Sequence, residues 1–293
     1  MKIRGLIKVL LVGFLLVGLA APFTFMPPPE YKAPLKTTTS DLAKSEQKAV
    51  AVKKPKTIKE KPLHDVKLPD FASIRDIATK KKRFFDFIQP AVAKQNQRLL
   101  QTRQKLEYWL EQITLEIGLT ETEQAELAKL AKRYRVNKHS STLQKIDELL
   151  ERVDIIPESL VLVQAANESA WGTSRFARIG LNFFGIWCYQ PKCGMVPNGR
   201  NEGAKHEVAA FDSVDDAVKG YFRNINTHNA YMVFRSIRSQ LRAHNQPLDA
   251  EILATGLLPY SERGAHYVLD ITDMLRHNQR FFAYEDTSTH LSD

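Results

Sequence analysis

Between residues 80 and 153 large apolar side chains recur at three- and four-residue steps, a spacing that restricts this part of the chain to packed helices. Phe84, Phe87 and Ile88 open the series, and Leu99, Leu106, Trp109, Leu110 and Ile113 continue it. A step near 3.6 lines one face of a helix, whereas a half-buried strand would need alternation. Pro90 has no backbone N–H to give to a preceding turn, so the pattern predicts two helices divided around it. Gly118 closes this region, and Thr120 with Glu123 has the spacing of a capping box that opens a further helix through Leu127, Leu130, Ala131 and Tyr134. Another holds Leu143, Ile146, Leu149, Leu150 and Val153. Such stripes read as scaffold. With 293 residues, 43% of them hydrophobic, the chain can build one good-sized core with residues left for tails.

The next helix is different. Pro157 suits its first position and Glu158 its positive end. Residues 160–170 then carry a single charge, Glu168, on the face of Val161, Ala165 and Trp171, with Gln164 one turn earlier. Burial disfavours the ionised form, so a carboxyl group on an apolar face holds its proton near neutral pH and can deliver it to a leaving oxygen. The same pattern also suits a structural carboxylate satisfied by a hidden arginine or by backbone donors.

The first residues set the compartment. Lys2, Arg4 and Lys8 precede an apolar run, 9–26, without a charged side chain, which reads as an export signal that is either cleaved or kept as a membrane anchor. Both leave the body outside the cytoplasm, with the basic flank inside. A net charge of +9 favours a polyanionic neighbour, and export excludes nucleic acid while leaving a membrane surface or a carboxylate-rich wall. Residues 27–72, with Pro27-Pro-Pro29, Thr37-Thr-Thr-Ser40 and Lys53-Lys-Pro-Lys56, read as a disordered basic linker. Two cysteines, Cys188 and Cys193, lie close around Pro191 and suit a local disulfide in an oxidising compartment. They could also stay free thiols, but no further ligands complete a zinc site.

Asn198-Gly199 is a hairpin signal, so a short β-lobe with Glu202 and Glu207 as its acidic residues is expected after the cysteines. Trp187 and Tyr260 are the aromatics expected at a cleft, where an apolar face and polar tip suit sugar rings. His206, His228 and His266 have no metal-ligand spacing. Asp212-Ser-Val-Asp-Asp216 starts an amphipathic helix, Gly256 interrupts, and residues 267–275 form the last strong helix.

Residues 164–177, containing Glu168-Ser-Ala-Trp-Gly172, followed by Asn182-Phe-Phe-Gly-Ile-Trp187, resemble the two ordered blocks of the bacterial glucosaminidase family of wall hydrolases. The resemblance continues through Ala210-Phe-Asp-Ser213, Val218-Lys-Gly-Tyr221, Asn229-Ala-Tyr231 and 258–267, and covers roughly residues 140–282. It implies a mainly α (α+β) fold, a lysozyme-like helical domain with a small β-hairpin lobe, preceded by extra helices. It also implies hydrolysis of the β-1,4 bond after N-acetylglucosamine in peptidoglycan glycan strands. Glu168 takes the role of general acid, Glu202 or alternatively Glu207 that of second carboxylate, and Tyr260 that of the cleft tyrosine. Asn182 and Trp187 are the expected substrate contacts. The chain departs from the family at Ser261-Glu-Arg263, where a small residue, threonine and aspartate are usual, which touches substrate detail more than reaction type. No metal or cofactor is expected.

The expected organisation is an export signal or anchor at 1–26, a linker at 27–72, a helical extension at 73–139, the glucosaminidase domain at 140–284 and a tail at 285–293. It describes a monomer of the periplasm or cell envelope. Lytic transglycosylase chemistry on the same polymer is the rival activity, although Asn182-Phe-Phe-Gly-Ile186 stands where those enzymes have a glycine-leucine-methionine-glutamine segment. A wall-binding scaffold of the same fold is the rival class.

Overall fold

A computed structural model describes residues 60–282 except 198, 199, 201, 202 and 204. The apolar N-terminal run, the linker up to residue 59, the tail beyond 282, the Asn198-Gly199 signal and Glu202 lie outside the described residues. Among the described residues no helix is long and apolar enough to cross a membrane.

The mainly helical, lysozyme-like expectation holds. Helix α1 (Ile77–Thr114) starts at Asp76, whose side chain accepts from Thr79 N, and runs unbroken through Pro90. The expected division there does not occur. Pro90 is exposed, so the carbonyl it leaves without an N–H partner faces water, while Phe85, Ile88, Ala91 and Val92 on either side pack into one core and hold the axis. Helices α2 (Glu121–Arg133) and α3 (Thr142–Arg152) both start in full capping boxes, Thr120 with Glu123 and Ser141 with Gln144.

Helix α4 (Glu158–Ser169) is buried nearly all round, with Leu160, Val161, Leu162, Val163, Ala165 and Ala166 in the core. Its near-continuous apolar sequence follows from its place, with α1 on one side and the last long helix, α9 (Ala265–Asn278), on another. Between them come α5 (Arg175–Gly180), α6 (Val214–Thr227), α7 (Met232–Ala243) and α8 (Ala250–Ala254), with 3₁₀ turns at Asn229–Tyr231, Thr255–Tyr260 and Gln279–Phe281. The β-lobe is a three-stranded antiparallel sheet of β1 (Trp187–Cys188), β2 (Gly194–Met195) and β3 (Glu207–Ala209) in the order β1-β3-β2. Trp187 pairs with Val208 and Met195 pairs with it from the other side. The connection from β2 to β3 covers residues 196–206.

Two buried devices fix the start of α4. Asn96 of α1 donates to the Ile156 carbonyl (2.9 Å) and accepts from the Ile156 N–H (3.2 Å). Arg238 of α7, fully buried, reaches the carbonyls of Glu151 (3.1 Å) and Arg152 (3.3 Å), which are unpaired acceptors at the C-terminus of α3, and that of Ile155 (3.0 Å). Asp154, 1% exposed, answers this charge and is also gripped by Arg242 (2.9 and 3.0 Å) and Arg103 (3.4 Å).

Part of the stretch expected to be linker belongs to the folded domain. Residues 60–72 are docked on the domain: Glu60 pairs with Arg175, the Leu63 N–H donates to the Ile179 carbonyl (2.8 Å), and Phe71 is 2% exposed. The low apolar content of residues 27–72 as a whole concealed one large ring with a pocket to fill.

Candidate active site

Glu168 is the penultimate residue of α4, and the chain turns sharply after it. Ala170 (φ 49°), Trp171 (φ 58°) and Gly172 (φ 75°) are all left-handed, a conformation that costs a side-chain-bearing residue about 1–2 kcal/mol. The turn is held by Ser169, whose Oγ donates to the Ala165 carbonyl (2.6 Å) and accepts from Gly172 N (2.8 Å), and by the Trp171 N–H to the Ala166 carbonyl (2.8 Å). Because the helix ends at Ser169, Trp171 does not continue the Glu168 face as helical spacing suggested. Its indole packs instead against Phe84 and Phe85, with ring centroids 5.8 and 5.3 Å apart.

The second sequence block closes over this carboxyl group. The loop 182–186 is shaped by Asn182, whose amide nitrogen donates to the carbonyls of Ile186 and Ala209 (both 2.8 Å) while its oxygen accepts from the N–H groups of Phe184 (3.3 Å) and Ile186 (3.0 Å). Asn182 is 1% exposed and every polar atom of its side chain is engaged, so it braces the loop and offers nothing to a substrate, contrary to expectation. The brace presents Gly185 (φ 65°), where an added Cβ would stand 3.5 Å from Glu168 Oε2. A bare backbone at this point leaves the carboxyl oxygen approachable.

Burial pushes the Glu168 carboxyl above its ordinary value, opposed by hydrogen bonding from Tyr267 and Asn167 and by the charge of Arg263. Asn167 Nδ2 is 3.2 Å from Oε1. Tyr267 belongs to a directed chain. The buried Tyr221 hydroxyl donates to Gln164 Oε1, Gln164 Nε2 donates to the Tyr267 oxygen (2.8 Å), and the Tyr267 proton is thereby left for Glu168. Tyr267 stands in the sequence only as the start of the last helix; the available signal is Gln164, an amide on an otherwise apolar helix one turn before the acid. Tyr267→Phe removes a donor to the carboxylate, so the Glu168 pKa rises further and the basic limb of a pH–rate profile is expected to move to higher pH; an unmoved limb would remove Tyr267 from this role.

The remaining candidates lie in two groups. Tyr260 stacks on Tyr267 (5.4 Å, 9°) and donates its hydroxyl to the Phe184 carbonyl (2.7 Å), so it ties the far wall to the Gly185 loop. Burial holds its phenol far above the ordinary value. Trp187 is 52% exposed on the lobe, with its ring stacked on His206 (4.3 Å, 9°). Cys188 and Cys193 are bridged, and Glu207 accepts from the N–H groups of Lys192 (3.1 Å) and Gly194 (2.9 Å) in the bridged loop. Both of its oxygens serve that loop, which weakens it as an alternative second carboxylate. Glu202 is outside the described residues. The two cysteines and Glu207 come within 4.8 Å of one another, but sulfurs joined in a disulfide are not metal ligands.

The family model described as mannosyl-glycoprotein endo-β-N-acetylglucosaminidase matches residues 143–280, which include α4, the Gly185 loop, the lobe and α9. Protein bax of Escherichia coli (strain K12) is 38% identical over 218 residues, 74% of this chain and 76% of that protein. No solved structure matches. An acid-bearing helix, a glycine loop over its carboxyl group and a match on both scales agree: the chain belongs to the glucosaminidase family of glycoside hydrolases.

Proposed function

We propose that the protein is a cell-envelope peptidoglycan hydrolase that cleaves the β-1,4 bond after N-acetylglucosamine, with Glu168 as general acid. The observation that carries this reading is a protonatable carboxyl group, raised by burial, standing beside the bare backbone of Gly185. Protonated Glu168 gives its proton to the leaving glycosidic oxygen as the C–O bond breaks, and the sugar ring takes up positive charge. The tyrosine–glutamine chain then stabilises the carboxylate that this transfer creates. With Glu207 engaged by the disulfide loop, the partner of Glu168 is Glu202 or the substrate's own acetamido group. The basic start and apolar run at residues 2–26 support work outside the cytoplasm, and the net charge of +9 suits an anionic wall.

Mass spectrometry of purified walls digested by the full chain tests the reading. Reducing-end N-acetylglucosamine is the expected product. Anhydro-muramyl ends would reassign the protein to lytic transglycosylase chemistry, and wall binding without product would leave a scaffold.

A further inference from the structure

The matched family region begins at residue 143, yet the catalytic turn is held from outside it. Gly172, third in the left-handed run after Glu168, lies under the ring of Phe71: an added Cβ would stand 2.6 Å from Phe71 Cδ2, far inside contact distance. The Phe71 ring meets Phe84 (5.5 Å) and Phe87 (6.0 Å) edge-on. Phe84 packs on Trp171 (5.8 Å), and both Phe84 and Phe87 reach Phe183 (6.2 Å each), two residues before Gly185. One aromatic cluster thus supports the turn on one side of the Glu168 carboxyl and the loop on the other. The segment leading to it is fastened separately. Glu60 makes a two-armed pair with Arg175 (2.5 and 2.8 Å), the Leu63 N–H donates to the Ile179 carbonyl, and His64, accepting from the Val66 N–H at Nδ1, donates from Nε2 to the Arg178 carbonyl (3.2 Å).

We propose that residues 60–76 form a strap across the catalytic turn, with Phe71 as the positioning residue that seats Ala170–Gly172 and thereby sets the placement of the Glu168 carboxyl. For its effect on turnover the inference rests on the hydrolase reading; for its effect on Glu168 it does not. The physical reason is that a left-handed turn carrying Ala170 and Trp171 is unfavourable by itself and persists only where packing over-determines it. Without the Phe71 ring the turn relaxes, water reaches the carboxyl group, and the burial that raises its pKa is lost. Among the described residues, the other groups facing Glu168 are Asn167 on its own helix, Tyr267 of α9 and Arg263 just before it, Tyr221 of α6, and Tyr231 and Tyr260 of the first two 3₁₀ turns, while Lys81 of α1 lies over Trp171 (5.1 Å). None of these is changed by substituting Phe71.

The test titrates the Glu168 side-chain carboxyl by ¹³C NMR in the full chain, in wild type, Phe71→Ala, Phe71→Leu and the double variant Glu60→Ala/His64→Ala, alongside the kinetics of glycan cleavage. The Glu168 midpoint is expected to fall toward the ordinary carboxylate range in Phe71→Ala, and kcat to fall about tenfold with KM unchanged, as for a small misplacement of a catalytic group. Phe71→Leu, which refills most of the space, should return the midpoint toward the wild-type position and kcat to within about twofold of wild type. The double variant, which loosens the strap without opening the core, should move the midpoint in the same direction and decides the matter if Phe71→Ala does not fold. A Glu168 midpoint unmoved in folded Phe71→Ala, or in the double variant where that protein is unfolded, would reduce Phe71 to ordinary core and overturn the proposal. Should the midpoint move while wild type cleaves no glycan, the strap stands and the hydrolase reading falls.

Discussion

Glu168→Gln is expected to lower release of reducing-end N-acetylglucosamine from wall glycan by about 10²–10⁴-fold, the range for removing a positioned general acid. Glutamine keeps the size of the side chain and an oxygen that can accept from Asn167 and Tyr267, so what disappears is the transferable proton. Binding to intact walls should be unchanged. Stability supplies a second signature. Burial raises the Glu168 pKa in the folded state above its unfolded value, so its favourable contribution is complete below the unfolded pKa and is lost as pH rises through the folded one. The glutamine variant should therefore match wild type in acid and equal or exceed its Tm at neutral pH and above, as expected when a strained functional group is removed. Equal digestion by both proteins would refute the assignment of the acid.

The largest stability effect is expected away from the chemistry. Asp154→Ala leaves Arg238, fully buried, and the partly buried Arg103 and Arg242 without their common carboxylate, a change that costs about 3–5 kcal/mol when one partner of a buried ionic network is removed. Chemical denaturation of wild type and variant measures it, and a loss under about 1 kcal/mol would mean that solvent or rearrangement replaces the carboxylate. The same group makes stability pH-dependent. Burial opposes the Asp154 charge, but Arg238, Arg242 and Arg103 outweigh it and hold its pKa below the ordinary value. Its contribution is thus complete above the unfolded carboxylate pKa and is lost as pH falls through the lower folded one, a loss the alanine variant should not show. Because Asp154 and Arg238 grip the carbonyls and loop that lead into α4, this network also sets where the acid-bearing helix begins.

Local patterns in the chain carried much of this. The capping box of Thr120 with Glu123, the apolar stripes of α2 and α3, and the single charge on α4 are short-range features whose physics operates within a few residues. Pro90 misled because a local rule about a missing N–H was outweighed by packing on both sides of it. Trp171 misled for the converse reason: a helical offset was extended past Ser169, where the chain becomes left-handed. Asn182 stood out as a polar residue in a signature loop, yet the same residue type serves as readily to brace a loop as to contact a ligand, and only its partners distinguish the two.

By itself the sequence determined a mainly helical chain with one carboxyl group set among apolar residues and a disulfide-sized cysteine pair, because periodicity and spacing are readable along the backbone. Tertiary structure alone decided that Tyr267, 99 residues beyond Glu168, aims its proton there by way of Gln164 and Tyr221, and that Phe71, from a stretch that reads as linker, sits on Gly172. Both are long-range contacts made by side chains ordinary in type, and their meaning lies in which group each meets when the core closes.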